Sequence, residues 1–397
     1  LHYENVHDRL KSEGCVHFMT KNVVVLQSKV LQYCKRADYT QLIERMNATG
    51  LCLDEIYIHD GSYWHVHEEL SSQFPGSRSA KLQEVQENTY TEDGEISRRA
   101  VGNAQIGLQS TYSLKHGCMV HMGITSATAN ERDAVIETVK AKVLHLFDAG
   151  YLNFKLFGQI DEAGGYFLTK LRGNAAGKIV SCRIGKEDVS EQFAGLKLSD
   201  AMVRNYRKHE LMDMVVSFGG KEYRVIRIYS EKDKKVQCLI TNIMLPAFTG
   251  SIIKTLYRLR WQVELSFKHL KSGSNLRGIC TRNTNIIYVL LLASILVDLL
   301  KILVTSIMTE SYGIKASVYR ISVHTKEWFA EFLRLLMNGD GSGVLELIRK
   351  LSRAKGVFEK VRQSKSKHEA LKTSDSVIQF ILRNLTPTGE AKVFKCA

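Results

Sequence analysis

The order of short apolar runs along the chain constrains its fold more than any other feature of the sequence. Runs rich in β-branched and aromatic residues, bounded by turn residues, predict strands. Helical periodicity separates the third run from the fourth, over residues 130–142. Strands that alternate with helices in this way predict a mixed α/β fold, a sheet with helices packed on it. The five predicted strands are 55–59, 105–114, 117–124, 143–147 and 166–171.

Changes in pattern along the chain predict five regions. The strands described above belong to a core, which short strands between charged turns interrupt as a β-rich insertion. A long helix at 250–273 and an apolar helix at 286–304 then resume the core. The regions are an N-terminal helical region (1–52), the first part of the core (53–175), the insertion (176–246), the second part of the core (247–310) and a basic helical C-terminal region (311–397).

The chain carries 55 Lys and Arg against 41 Asp and Glu, a net charge of +14. An excess of this size favours a polyanionic partner, nucleic acid before membrane. The basic run from Arg349 to Lys367 fits either DNA backbone binding or a solvated helix face, and its pattern leaves both readings open. No G-x-x-x-x-G-K loop is present, so we expect no use of ATP.

The sequence also predicts the compartment. Eight cysteines without a C-x-x-C pair favour reduced thiols in the cytoplasm. The longest apolar stretch, 286–297, is followed by Asp298 and Lys301 and is shorter than the about 20 residues of a membrane span, so it predicts a buried helix and no membrane contact. We find no secretory signal, and because the chain starts at Leu1 we expect further residues before it.

One helical stretch, 256–271, concentrates the candidate chemistry. If each residue turns the helix by 100°, the apolar residues form one stripe and polar residues form a second stripe beside it. In this polar stripe the Glu264 carboxylate lies among cations and a tyrosine. Such a carboxylate at a core boundary suits metal and phosphate binding. The alternative is a solvated face whose pairs Arg260–Glu264 and Glu264–Lys268 are ordinary i,i+4 ion pairs. The polar stripe consists of Tyr257, Arg260, Glu264, Lys268 and Lys271.

The spacing Tyr257-x2-Arg260-x3-Glu264-x6-Lys271 resembles the Y-R-E-K signature of the insertion-sequence-four family of DDE transposases. Asp60-Gly61-Ser62 resembles the segment of that family's first aspartate. The segment 146–151, followed by 166–171, resembles that of the second aspartate, Asp148, and 240–242 is also similar to the family. The resemblance covers roughly residues 53 to 300 in the family's order.

The resemblance implies a ribonuclease H-like core, with Asp60 ending its first strand, Asp148 its fourth, and Glu264 on an adjacent helix. It implies that these three are catalytic and hold two Mg²⁺ ions, for which Mn²⁺ can substitute. Water would cut the ends of an insertion sequence, and the freed 3′-OH would attack target DNA. It further implies DNA terminal repeats as substrate, a homodimer that joins two ends, and a prokaryotic, nucleoid-associated protein.

By the same resemblance Tyr257, Arg260 and Lys271 contact phosphates at the DNA end, and Lys268 is their geometric neighbour. The chain has Ala149 where the family often has Arg, and its insertion lacks the Trp on which some members stack a flipped base. Trp261, inside the signature, is the candidate for stacking at the DNA end instead. Which residue stacks a flipped base, and whether cleavage passes through a hairpin, are left open by the sequence.

Other readings stay open. On its own, Asp60 in Asp-Gly-Ser is typical of a turn, and Asp148 of a loop or helix cap. A zinc site is suggested by three nearby histidines, His59, His65 and His67, but no Cys or further His has the spacing of a zinc finger. The favoured alternative is that these histidines pack or form hydrogen bonds near the first strand. A catalytically decayed or co-opted transposase that binds DNA, and a nuclease of the same fold without strand transfer, are the rival functions.

Overall fold

The computed structural model describes residues 3–76, 88–90, 96–98, 104–172, 175–230, 234–273, 279–314, 316–354 and 374–385. The helices in these ranges are α1 (Tyr3–Leu10), α2 (Glu13–Tyr33), α3 (Ala37–Asn47), α4 (Asp133–Ile136), α5 (Phe154–Glu162), α6 (Ser190–Phe193), α7 (Ala201–Asn205), α8 (Gly250–Tyr257), α9 (Trp261–Gly273), α10 (Thr284–Tyr312), α11 (Val318–Val323), α12 (Thr325–Met337), α13 (Gly341–Arg353) and α14 (Ser374–Asn384). Short 3-10 turns cover Glu68–Leu70, Ala149–Tyr151 and Arg258–Arg260.

The strands of the described residues form a large sheet and a separate hairpin. They are β1 (Glu55–His65), β2 (Asn88–Tyr90), β3 (Ile96–Arg98), β4 (Gln105–Ser113), β5 (Cys118–Ser126), β6 (Val143–Phe147), β7 (Tyr166–Leu171), β8 (Lys178–Ile184), β9 (Glu187–Asp188), β10 (Met212–Phe218), β11 (Lys221–Ser230) and β12 (Lys235–Thr241). Strands β2 and β3 pair with each other as the hairpin.

Ten strands build the large sheet, in the order β5-β4-β1-β6-β7-β12-β11-β10-β8-β9. The pairs β1–β6 and β6–β7 are parallel, and the other neighbours are antiparallel. The predicted mixed α/β fold is therefore confirmed. The strands of residues 176–246, predicted as an insertion, continue the same sheet beyond β7.

Side chains that alternate along each strand line two separate cores, one on each face of the sheet. Ile58 of β1 and Leu146 of β6 belong to the core beneath α2, α3, α8, α9 and α10. Phe147 and Phe167 belong to the opposite core, which α5 covers with Phe157. The helices that carry the polar stripe therefore lie on the Ile58 face of the sheet.

Local signals set the ends of several helices. The side chain of Thr249 accepts a hydrogen bond from the Ile252 amide and begins α8, and Asn283 does the same for Ile286 and α10. Helix α10 ends at Gly313, whose φ of +65° favours glycine. By length and composition alone α10 could span a membrane, and 56% of its most apolar window is buried in the protein. The absence of membrane contact stays a prediction.

Three predicted segments differ from the structure. Residues 130–142 form only the four-residue α4, with turns on either side of it, and only Val135 and Thr138 of this segment are buried. The stretch 250–273 is not one helix, since a 3-10 turn at Arg258–Arg260 separates α8 from α9. The apolar helix was predicted as 286–304 but spans Thr284–Tyr312. Within the predicted loop 71–103, residues 77–87, 91–95 and 99–103 lie outside the described residues, as do 355–367 of the basic run.

Candidate active site

Asp60 lies within β1 and not at its end, which corrects the sequence-based expectation. Parallel pairing of β1 with β6 stops at Ile58–Leu146. Antiparallel pairing with β4 continues, however, from Asp60–Ser110 to His65–Gln105. The strand therefore runs on past the Asp-Gly-Ser segment on one side only, and on the other side Asp60 stands where the sheet opens.

The register places Asp60 and Asp148 level with each other. Each lies two residues beyond the last parallel pair, Ile58–Leu146, so each side chain follows that pair onto the same face of the sheet. Neighbouring strands are about 4.8 Å apart. Asp148 keeps an extended backbone (φ −80°, ψ 166°) before the turn Ala149–Tyr151. On the other side, Thr169 Oγ1 donates to the carbonyls of Phe147 (3.2 Å) and Asp148 (3.1 Å).

Helix α9 brings Glu264 to the same face, and one guanidinium joins it to the strand. Arg260 Nη1 lies 3.5 Å from Asp60 Oδ2, and Arg260 Nη2 donates to the Glu264 carboxylate. The side chains of Arg260, Asp60 and Glu264 are 17%, 23% and 30% exposed. A half-buried cation thus bridges two acidic residues 204 positions apart in the sequence, and the i,i+4 pair expected on a solvated face is part of an interior site.

Burial decides the electrostatics of this site. Desolvation raises the pKa of Asp60 from 3.8 to about 6, against the opposing effect of Arg260 and of the Gly61 amide, which donates at 2.9 Å. The charges of Glu264 and Asp148 raise it further. Burial alone would lower the pKa of Arg260, but Tyr257 and the three acidic residues outweigh it and raise that pKa. Glu264 and Asp148 therefore both lie close enough to act electrostatically on Asp60.

A cleft of about 370 Å³ opens at this point. Lys268 and Lys271 face it from α9, opposite Asp60 and beside Glu264. Lys271 Nζ donates to the Tyr63 carbonyl at 2.9 Å and lies 4.8 Å from the centre of the Trp64 ring. Burial lowers the pKa of Lys271. The lining residues are Asp60, Gly61, Ser62, Glu264, Phe267, Lys268 and Lys271, and Asp148 is not among them.

The other residues of the predicted signature segment, Tyr257, Arg260 and Trp261, are not among the residues that line the cleft. The Tyr257 hydroxyl is buried and donates to the carbonyl of Phe147 at 3.1 Å, one residue before Asp148. Trp261 is 55% exposed at the start of α9. Sequence reasoning missed Lys170, which stands level with Asp148 on β7 and lies 5.9 Å from the Tyr257 ring. The signal available in the sequence was the spacing: Lys170 is two positions after Leu168 in a predicted strand, so both side chains lie on the same face of the sheet.

Carboxylate oxygens are the ligands that Mg²⁺ prefers, so Asp60, Asp148 and Glu264 fit a divalent cation by chemistry. Their arrangement is looser than a ligand set: the described residues contain no group of three or more His, Cys, Asp or Glu side chains gathered to hold a metal. Arg260 stands between Asp60 and Glu264 and supplies the neutralising charge. The structure thus brings Asp60 and Glu264 together through a cation, with Asp148 directly after the adjacent strand β6.

The histidines near the first strand have separate surroundings. His59 is buried, shares a 2.8 Å hydrogen bond with His145 and is 3.1 Å from the Thr111 hydroxyl. His67 accepts from Arg282 Nε at 3.1 Å. These contacts confirm the prediction that His59 and His67 pack or hydrogen-bond near the first strand.

The fold and the cleft define a mixed α/β protein whose parallel strands β1 and β6 lead into a pocket of acidic residues edged by lysines. Ligands of α/β sheets bind at such carboxyl ends of strands. The chain belongs to the transposase DDE domain family, whose model matches residues 52–297.

Relatives agree with this family. The chain is 26% identical to the putative transposase y4zB of Sinorhizobium fredii over 188 residues, which are 47% of this chain and 49% of the relative. It is 23% identical to the transposase for insertion sequence element IS1151 of Clostridium perfringens over 260 residues, 55% of this chain and 50% of the relative. The chain thus spans about half the length of the curated relatives it matches.

Among solved structures, a cryo-EM structure of a piggyBac transposase synaptic complex with hairpin DNA is similar over 80% of this chain and 60% of that chain. The TM-score is 0.38 and the identity 12%. A similarity this low carries neither the fold nor the function over to this chain.

Proposed function

We propose that this chain is a DNA transposase of the Y-R-E-K group that cuts the ends of an insertion sequence and joins the freed 3′-OH to target DNA. The observation that carries the proposal is the bridge from Asp60 through Arg260 to Glu264, together with the cleft that Asp60 and Glu264 line alongside Lys268 and Lys271. Asp148 directly follows the neighbouring strand β6, and both aspartates lie two residues beyond the last β1–β6 pair. Membership of the transposase DDE domain family supports the same assignment.

Asp60, Asp148 and Glu264 are the proposed ligands of two Mg²⁺ or Mn²⁺ ions. Bound there, such ions would supply Lewis-acid stabilisation of the phosphate and a more acidic attacking water. The pKa of Asp60 is raised because burial removes water from its carboxylate. A bound cation would stabilise the ionised form and so oppose this effect. Because β1 and β6, the first and fourth of the strands predicted for the core, are neighbours, the sheet supports a ribonuclease H-like core.

The cationic residues around the cleft are the proposed DNA contacts. Lys268 and Lys271 offer point charges to the phosphates. Arg260 offers a bidentate hydrogen-bond donor when a metal ion replaces it as the cation that neutralises Asp60 and Glu264. Tyr257 holds the backbone before Asp148 through its hydrogen bond to Phe147. Trp261, exposed on the first turn of α9, is the proposed stacking platform for the DNA end.

The proposed partners are the terminal inverted repeats of an element and a target DNA. A homodimer follows from the need to join two element ends in one complex. The net charge of +14 supports a polyanionic partner. We place the protein in a prokaryotic cytoplasm, associated with the nucleoid and without membrane contact, and we retain the five predicted regions as the proposed domain division.

The Glu264→Gln variant tests this proposal. It keeps the size of the side chain and an acceptor for Arg260 but removes the charge that a metal site needs. We expect 3′-end cleavage of a labelled element end in Mg²⁺ to fall by at least about a hundredfold, the scale seen when a group that stabilises transition-state charge is lost. Glu346→Gln is the matched control, since Glu346 also pairs with an arginine of its own helix, Arg349.

Products from a labelled end and a target plasmid separate the rival functions. Cut and joined products from the wild type, lost in Glu264→Gln only, support a transposase. Cleavage without joining supports a nuclease of the same fold. Binding without any cut supports a decayed or co-opted transposase, and cleavage that survives Glu264→Gln contradicts the assignment of the site.

A further inference from the structure

A tyrosine stands three residues after each of the two aspartates, Tyr63 after Asp60 and Tyr151 after Asp148. Both phenols converge on one carboxylate. The Tyr63 hydroxyl donates to Glu131 Oε1, and the buried Tyr151 phenol lies close enough to the same carboxylate that Glu131 raises its pKa. Glu131 therefore connects the segment after one aspartate to the segment after the other.

The surroundings of Glu131 strengthen this connection from both sides. Gln109 Nε2 donates to the Tyr63 hydroxyl at 3.1 Å, which leaves the phenol proton for Glu131. The neighbouring Arg132 donates from Nη2 to the carbonyl of Gly150 at 3.3 Å, inside the turn that follows Asp148. Tyr151 is 3% exposed and stacks on Phe147 with ring centres 5.6 Å apart.

Glu131 lies outside the cleft. Tyr63 is an odd number of positions from Asp60 along β1, so its side chain leaves the strand on the opposite face of the sheet. Tyr151 packs on Phe147, which belongs to that opposite core. Glu131 is therefore not placed to touch DNA or a metal bound between Asp60 and Glu264.

The contact replaces backbone pairing that is missing at the site. The β1–β6 ladder ends at Ile58–Leu146, so no ladder bond of that pair fixes Asp148 relative to Asp60. Thr169 holds Asp148 only to β7. Hydrogen bonds to an ionised carboxylate are about twice as strong as neutral ones. Glu131 accepts such a bond from Tyr63, and its neighbour Arg132 bonds to Gly150, so this segment can hold the two aspartate segments together.

We propose that Glu131 is a positioning residue that, through Tyr63 and Tyr151, fixes the spacing of Asp60 and Asp148. This inference rests on the proposed function, in which those two aspartates share metal ions. Both phenols keep their protons in the working range of pH: burial and Glu131 raise the pKa of Tyr63 to about 12, and the same two causes raise that of Tyr151.

The test measures Mn²⁺ binding by electron paramagnetic resonance, alongside the Mn²⁺ dependence of cleavage. Loss of a partner that orients metal ligands typically costs 10–100-fold in affinity, and we expect Glu131→Ala to weaken Mn²⁺ binding by about tenfold. Glu131→Gln keeps an oxygen that can accept from Tyr63 and should recover most of the affinity. Glu137→Ala is the control, because this exposed carboxylate of the same segment binds His121 instead.

The tyrosines keep the test decisive if Glu131→Ala unfolds. Tyr63→Phe and Tyr151→Phe remove only the hydroxyls, and each should weaken Mn²⁺ binding, with the double variant losing less than the sum of the two. Wild-type affinity in Glu131→Ala or in both phenylalanine variants overturns this inference while the proposed function stands. A wild type that binds no Mn²⁺ overturns the proposed function, and with it the reason for the positioning role.

Discussion

Asp60 should reduce the stability of the metal-free protein, and Asp60→Asn should remove that penalty. The carboxylate is 23% exposed, and burial raises its pKa from 3.8 to about 6 in spite of Arg260. Asparagine keeps the shape of the side chain and an acceptor for the Gly61 amide, but it has no charge to desolvate. We therefore expect Asp60→Asn to be more stable than the wild type at neutral and alkaline pH.

The magnitude follows from linkage. A folded-state pKa above the unfolded one gives stability that is complete below about pH 4 and is lost as the pH rises through 6. With 3.8 and about 6 as the two values, the full loss at pH 8 is roughly 3 kcal/mol, and the loss at pH 5 is about half of that. The advantage of Asp60→Asn should shrink accordingly between pH 8 and pH 5.

Urea unfolding at both pH values in the presence of EDTA measures this difference. Asp54→Asn is the matched control, an exposed carboxylate just before β1, and should change the free energy of unfolding by less than about 0.5 kcal/mol. Added Mg²⁺ should stabilise the wild type more than Asp60→Asn. The reasoning is refuted if Asp60→Asn is less stable than the wild type at pH 8, or if its advantage is the same at both pH values.

Two further predictions concern acid stability and DNA binding. Burial lowers the pKa of His145 to about 3, so its stabilising effect is present above pH 6.5 and is lost as the pH falls towards 3. As the pH falls from 6.5 to 4.5, the free energy of unfolding measured in urea should decline less steeply for His145→Gln than for the wild type, by about 1.4 kcal/mol per pH unit. The same slope in both proteins would contradict this prediction. Lys271→Met should weaken binding to element ends and lower the salt dependence by about one phosphate contact in a filter-binding series, whereas an unaltered salt slope would remove Lys271 from the interface.

Strands were predictable where the signal was local. The run 143–147 was predicted as a strand and is β6, and 105–114 differs from β4 by one residue. The Arg260–Glu264 pair followed from helical spacing and is present. The prediction that Asp60 ends its strand was wrong, because the local preference of Asp-Gly-Ser for a turn is overridden by pairing with another strand. Pairing with β4 holds these residues extended as far as His65.

The amino-acid sequence by itself determined most of the strands, the transposase DDE domain family of the chain, and the acidic and basic residues that the family resemblance singles out. Those properties depend on periodicity and on short motifs, which are local. Tertiary structure alone decided that Arg260 reaches an aspartate 200 residues away, and that Glu131 accepts from a tyrosine 68 positions away. Contacts at such separations depend on strand order and register, which no local pattern encodes, because many pairings would bury the same apolar faces.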